Sequence, residues 1–305
     1  MKKFNSFLEV INTFDTELKC IKYLTAIIYK DGFYCPFCNS KKIYHFSNNK
    51  THKCAECRKK FGVKIGTIFE DSKISLKKWF MAIYLMTSHK KGISSLQLAK
   101  DIKVTQKTAW YMLQRLRYAV DSNSFKKPLK GIVEVDETYI GGKETNKHKN
   151  KRTKEYNTIL GDKKPILGMI EKKGSIKYQS IEKATKGNVK PIIESNISDN
   201  AIIHTDESPI YKFLPKDKRK IVNHTFKEYV GKGGITTNNI EGSFAHFKRT
   251  INGIYHSASK KHIQKYADMF CFRWNTRGYS IQERINEFFS LTSGKRLQYK
   301  ELING

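Results

Sequence analysis

Residues 131–143 read GIVEVDETYIGGK. Ile132, Val133 and Val135 predict a short apolar strand that carries Glu134, Asp136 and Glu137 into a Gly141-Gly142 turn. A carboxylate inside such a strand is costly unless something compensates its charge, and a bound metal ion does so. Asp136 is therefore read as the first ligand of a divalent-metal site.

The rest of a ligand set follows downstream. Asp206 ends a second apolar run, AIIHTDES, behind Ile202 and Ile203. The stretch NNIEGSFAHFKRTI has helical spacing: Ile240, Phe244, Phe247 and Ile251 fall at i, i+4, i+7 and i+11 and predict one apolar face. Glu241 lies beside that face, and Lys248 follows seven positions later, two turns along the same side. Two acids at strand ends and a third on a following helix suit a pair of Mg²⁺ ions about 3.5–4 Å apart, the arrangement for in-line phosphoryl displacement. Taken singly, each acid has a plainer reading. Asp136 suits an edge strand, Asp206 a turn before Ser208-Pro209, and Glu241 a solvated helix position.

The segments VDETYIGGK, HTDES and NNIEGSFAHFKR, followed by GIYHSASKKHIQKYADMFCFRWNTR, resemble the catalytic core of bacterial insertion-sequence transposases. The likeness is to the D-D-E/N group that carries a zinc ribbon and a helix-turn-helix ahead of the core, and it covers most of the chain. It implies that Asp136, Asp206 and Glu241 hold two catalytic Mg²⁺ or Mn²⁺ ions and that Lys248 holds a phosphate. Some members of the group place Asn at the third position. Here TNNIEG offers Asn238 as the alternative to Glu241, although an amide is a poorer ligand for a hard cation.

Composition agrees with a nucleic-acid partner. The 305 residues contain 58 Lys+Arg against 28 Asp+Glu, a formal charge of +30. So large an excess favours a polyanion. The opening MKKFNSFLEVINTF is broken by Asn5, Ser6, Glu9 and Asn12 and does not read as a signal peptide. The apolar run Trp79–Met86 is too short for a bilayer. A soluble, cytoplasmic protein with no membrane partner is expected.

Ahead of the core, residues 1–30 read as one or two helices, with Cys20 in their apolar pattern. Cys35 and Cys38 form one C-x₂-C knuckle and Cys54 and Cys57 a second, with fifteen residues between them. Four thiolates so spaced match a closed, structural Zn²⁺ site in a ribbon over 31–70. Lysines around it, among them Lys41, Lys42, Lys53 and Lys60, suit phosphate or a solvated face.

In the 71–120 region, Ser75 caps a helix that is apolar nearly all round. SSLQLAKDIKVTQKTAWYMLQRLRYAV then reads as helix, tight turn, helix. Leu96, Ala99 and Ile102 are expected to pack on Ala109, Met112, Leu113 and Leu116. That leaves Gln106, Lys107, Gln114 and Arg115 on other faces for DNA, as in a helix-turn-helix. An ordinary helical hairpin has the same pattern. Lys248 and Arg249 are further DNA-contact candidates in the core.

Polar residues 121–130 read as a linker, 131–292 as the core and 293–305 as a tail without readable signal. The basic loop 143–155 interrupts the core. The strand order β-β-β-α-β-α-β-α is that of a ribonuclease H-like α/β core with a mixed five-stranded sheet. With the resemblance, this order makes the first and fourth strands central neighbours and brings Asp136 to Asp206. Catalytic assembly as a homo-oligomer on element ends and target DNA is what the resemblance adds.

Overall fold

The structure, a computed structural model, describes residues 4–121, 127–142, 148–152, 163–222 and 235–304. The chain divides into two units, Met1–Val120 with Thr276–Gly305 and Asp121–Asn275.

In the first unit, helices α1 (Phe7–Thr13) and α2 (Glu17–Ile28) precede a three-stranded antiparallel ribbon. Its strands are β1 (Ile43–His45), β2 (His52–Cys54) and β3 (Lys60–Phe61). Helices α3 (Leu76–Ser88), α4 (Ser95–Asp101) and α5 (Gln106–Ala119) follow. Each of the five helices starts on a Ser or Thr whose side-chain oxygen accepts an N–H of the first turn: Ser6, Thr16, Ser75, Ser94 and Thr105. These caps satisfy donors that have no intrahelical partner. Helix α3 lies at the centre, with Leu76, Trp79, Phe80, Ala82, Ile83 and Met86 all buried. Phe80 meets the ring of Phe14 at 4.7 Å and that of Phe289 at 4.5 Å.

The second unit opens before its first strand. Leu129 is buried and exchanges backbone hydrogen bonds with Asn196 and Ser198, so the expected linker has already entered the core by this residue. The sheet comprises β4 (Ile132–Ile140), β5 (Lys164–Glu171), β6 (Ile176–Ser180), β7 (Ile202–Thr205) and β8 (Arg219–Ile221). Spatial order is β6-β5-β4-β7-β8. Strands β4, β5 and β6 pair antiparallel, whereas β4–β7 and β7–β8 are parallel. This is the mixed five-stranded sheet expected of a ribonuclease H-like core, with β4 and β7 adjacent. Of the expected last strand, residues 223–226 lie outside the described residues, as do 143–147 and 153–155 of the basic loop.

Alternation along β4 splits the sheet's two faces. Val133 and Val135 join Leu167, Met169 and helix α6 (Lys186–Asn196) on one side. Ile140, Ile166, Ile170 and Tyr178 join helices α7 (Asn238–Thr250) and α8 (Ile263–Asn275) on the other. Strand β6 is an edge, and α8 covers its free backbone groups. Asn275 accepts from and donates to Ile176, and Gln264 accepts from Ser180 and donates to Tyr178. A covered edge offers no template to another strand.

Beyond Asn275 the structure departs from the expected boundaries. Helices α9 (Ile281–Ser290) and α10 (Tyr299–Asn304) belong to the first unit instead of closing the core at 292. Ile285, Phe288 and Phe289 are buried there, Tyr23 donates to Asn286 at 2.5 Å, and Arg284 donates to Thr87. The tail that carried no readable signal buries Leu297 and Leu302.

Candidate active site and zinc centre

Asp136 was expected at a strand end, but β4 runs on to Ile140. What ends beside Asp136 is the parallel ladder: β4 pairs with β7 at Ile132↔Ile202, Val133↔Ile203 and Glu134↔His204, and no further. Extending this register by two residues sets Asp206 opposite Asp136, because each β7 partner lies 70 positions on (202 − 132 and 206 − 136). Both carboxylates are half-buried. By alternation, Asp136 points to the same face as Glu134 and Thr138, the face covered by α7.

Helix α7 comes very close to the sheet at this point. Asp136 is paired with Gly168 on β5. A β-carbon at Gly168 would stand 2.6 Å from the Phe244 ring and 2.7 Å from Ile240 Cδ1. Only a residue without a side chain lets α7 lie here. Glu241, next to Ile240, is thereby carried to the Asp136 side of the sheet.

A residue that the sequence left unassigned fixes the start of the helix. Glu134 is fully buried, and its carboxylate accepts the Asn239 N–H at 2.9 Å, the Ile240 N–H at 3.0 Å and the Asn239 side-chain amide at 2.6 Å. An anion at a helix N-terminus satisfies unpaired donors and the helix dipole together. His204, its partner across the ladder, accepts the Thr236 N–H at 3.3 Å through Nδ1, and burial holds its imidazole below the ordinary value. The entry to α7 is thus tied to both central strands.

The loop after Asp206 is braced in the same way. Asp206 Oδ1 accepts the Ser208 N–H at 3.1 Å, so the acid also serves the turn. Arg219 donates to the Thr205 hydroxyl at 3.0 Å and to the Asp206 carbonyl at 2.9 Å. Tyr211, on a single 3₁₀ turn Pro209–Tyr211, donates its hydroxyl to Glu137. Burial pushes the Glu137 carboxyl up to about 7, with further repulsion from Asp136 and Asp206 opposed by the Tyr211 hydroxyl. Three carboxyl groups, Asp136, Glu137 and Asp206, thus lie within electrostatic reach of one another where β4 and β7 part.

The third position stays with two candidates on one turn. Asn238 and Glu241 are both exposed in the first turn of α7, and Glu241 accepts the Thr237 hydroxyl at 2.8 Å. Lys248 and Arg249 are exposed further along the helix. Asp136, Asp206 and Glu241 do not close into a tight group. Among the described residues, only the four ribbon cysteines bring three or more ligand atoms within 4.8 Å of one another.

Those thiols are Cys35, Cys38, Cys54 and Cys57. Cys35 and Cys57 lie 3.6 Å apart, as do Cys38 and Cys54. Four mutually close sulfurs with no disulfide among them suit tetrahedral Zn²⁺ with every position filled. His45 and His52 form a hydrogen-bonded pair, Nδ1 to Nδ1 at 2.9 Å, and are not part of the cluster.

Two of the expected DNA contacts are corrected by burial. Gln114 and Arg115 are 1% and 4% exposed. Arg115 donates to the carbonyls of Ile68, Glu70 and Leu297 at 2.6–2.8 Å and joins three segments of the unit. Gln106 and Lys107, at the start of α5, are exposed as expected. Leu96, expected to pack on α5, is 64% exposed, whereas Leu98 is buried. The spacing of α4 allowed either residue.

Fold and site define a zinc-ribbon protein whose second unit gathers acids on a ribonuclease H-like sheet. Residues 15–60 match a transposase zinc-ribbon domain and residues 128–275 an ISXO2-like transposase domain. An uncharacterized protein in transposable element ISH50 of Halobacterium salinarum is 28% identical over 277 residues, 86% of this chain and 92% of that protein. The chain belongs to the insertion-sequence transposases that carry an N-terminal zinc ribbon. No helix among the described residues is long and apolar enough to cross a membrane.

Proposed function

We propose that this transposase cuts DNA at the ends of its element and joins the freed 3′ ends to target DNA, using Mg²⁺ or Mn²⁺ held by Asp136, Asp206 and Glu241. One observation supports the reading: the parallel β4–β7 ladder ends at Glu134↔His204, two residues before Asp136 and Asp206, and α7, the helix bearing Glu241, covers that face of the sheet. An all-oxygen donor set fits a hard divalent cation. Asp136, Asp206 and Glu241 would hold such ions, whose chemistry would be to activate an attacking water or 3′-hydroxyl and to stabilise the leaving oxygen.

The chain's own groups do the rest. Glu134 and Gly168 hold Glu241 to the sheet, and Arg219 and Tyr211 hold the turn carrying Asp206. Lys248, seven residues after Glu241 on the exposed side of α7, supplies a point charge for a phosphate near the scissile bond. Arg249 adds a second cation on the same helix. Helices α4 and α5 act as a helix-turn-helix whose Gln106 and Lys107 reach base edges or phosphates of the terminal repeats. The active complex is a homo-oligomer that holds two element ends.

The test is cleavage of a labelled element-end duplex in Mg²⁺. Asp136→Asn and Asp206→Asn are expected to lower the rate by at least about a hundredfold while repeat binding persists, since a neutral amide is a weak ligand for a hard cation. Glu241→Gln should be as severe and Asn238→Ala milder. The reverse order would make Asn238 the third ligand. Normal cleavage by all four variants would overturn the reading. Cutting without joining of 3′ ends would reduce it to a nuclease.

A further inference from the structure

The ribbon has two unlike faces. On one, His45, His52 and Phe61 form a cross-strand row, and Phe33 packs on it, 4.7 Å from the His45 ring and 5.0 Å from that of His52. On the other, the register Tyr44↔Lys53↔Lys60 makes a second row across all three strands. Phe46, two residues after Tyr44, continues that side, with Lys60 Nζ 5.7 Å from its ring centre. Tyr44 is 59% exposed and Phe46 39%. At the first knuckle the exposed Phe37 repeats the pairing, with Lys59 Nζ 4.8 Å from its ring centre.

Neither packing nor zinc accounts for these rings. The ribbon's packed face is the opposite one, and the four thiols close the metal site without them. Rings alternating with ammonium groups are what a single-stranded nucleic acid needs: a π-face for each base and a cation for each phosphate. A duplex has no use for the rings, because its bases are already stacked on one another and present only edges and phosphates. A second copy of this face would bring lysine against lysine.

We infer that this face of the zinc ribbon is a stacking platform for unpaired bases of DNA, with Tyr44 and Phe46 taking bases and Lys53 and Lys60 taking phosphates. The inference rests on DNA being the substrate of this chain, since cutting at an element end creates frayed strands to be held. Bases displace the lysines from the ring faces, and the ammonium groups move to the phosphates between them.

The experiment uses the full-length, zinc-loaded chain and two labelled probes, a short single strand of DNA and the same strand annealed into a blunt duplex, at one salt concentration. Tyr44→Ala with Phe46→Ala should weaken single-strand binding about tenfold or more and duplex binding less than about twofold. Tyr44→Phe with Phe46→Tyr should restore the single-strand affinity. Lys53→Gln with Lys60→Gln should weaken binding of both probes and flatten the salt dependence. Zinc content equal to that of the parent shows that the ribbon is intact. On the unaltered chain, photo-crosslinking of a halogenated base should map to Tyr44 or Phe46, a readout that needs no variant. Equal losses on both probes in the Tyr44→Ala, Phe46→Ala variant, no loss in it, or crosslinks only elsewhere would overturn the platform while leaving the transposase reading intact. Failure of the parent to bind either probe would overturn both.

Discussion

Glu134 shows what a single residue adds to this site. A strand position between two valines predicts an apolar residue or a ligand, and the sequence does not distinguish a carboxylate that binds metal from one that anchors a helix. The distinction depends on which N–H groups come within reach, and those belong to Asn239 and Ile240, more than a hundred positions away. Asp136 and Asp206 stand out in the sequence as acids set in or just after apolar runs. The role of Glu134 was not legible, because its partners are backbone donors with no signature of their own. Glu134→Gln keeps the size but turns an amide N–H toward donors, leaving buried polar groups unsatisfied. A loss of about 2–3 kcal/mol is expected in urea denaturation, together with slower cleavage as Glu241 loses its footing. Unchanged stability would mean that α7 is held by its apolar face alone.

At the scale of elements, strands of two or three residues cannot hold a sheet by themselves, so the ribbon depends on its thiols. Structural zinc contributes folding free energy directly. Chelation, or Cys35→Ser, should open residues 31–70 to proteolysis while Asp121–Asn275 stays resistant. Protection that survives verified metal loss would contradict the assignment. The ribbon was legible because two C-x₂-C knuckles fix a geometry through local spacing. Helices α4 and α5 were legible as elements, through the apolar spacing on either side of a tight turn, but their outward faces were not. Gln114 and Arg115 look solvent-facing on polarity alone. Arg115 is nonetheless buried because three carbonyls from distant segments accept its N–H groups.

For the whole molecule, a boundary proved hardest to read. The stripe Ile285, Phe288, Phe289 predicts an amphipathic helix, yet periodicity does not say which core the helix joins. The first unit takes it, so Phe289 lies against Phe80 and Arg284 against Thr87. Each large apolar side chain so buried contributes about 1.5–3 kcal/mol, and a domain's net stability is only about 5–15 kcal/mol. A chain cut after Asn275 should therefore lose the cooperative unfolding of its first unit and bind exposed-hydrophobic dyes, while the acid-bearing sheet still melts as a unit. Native-like melting of both units in the truncated protein would show that α9 and α10 are dispensable.

This discontinuity also sets an order of events during synthesis. Chains emerge from the ribosome N-terminal end first, and domains fold as units once their residues are out. The acid-bearing unit, Asp121–Asn275, is contiguous and can fold as soon as it has been translated. The ribbon-bearing unit has its first 120 residues in hand long before, yet must wait for α9 to supply the other side of its core. The part of the chain proposed to find DNA is thus completed after the part proposed to cut it, and a ribosome that stalls between the two releases no finished DNA-recognising unit.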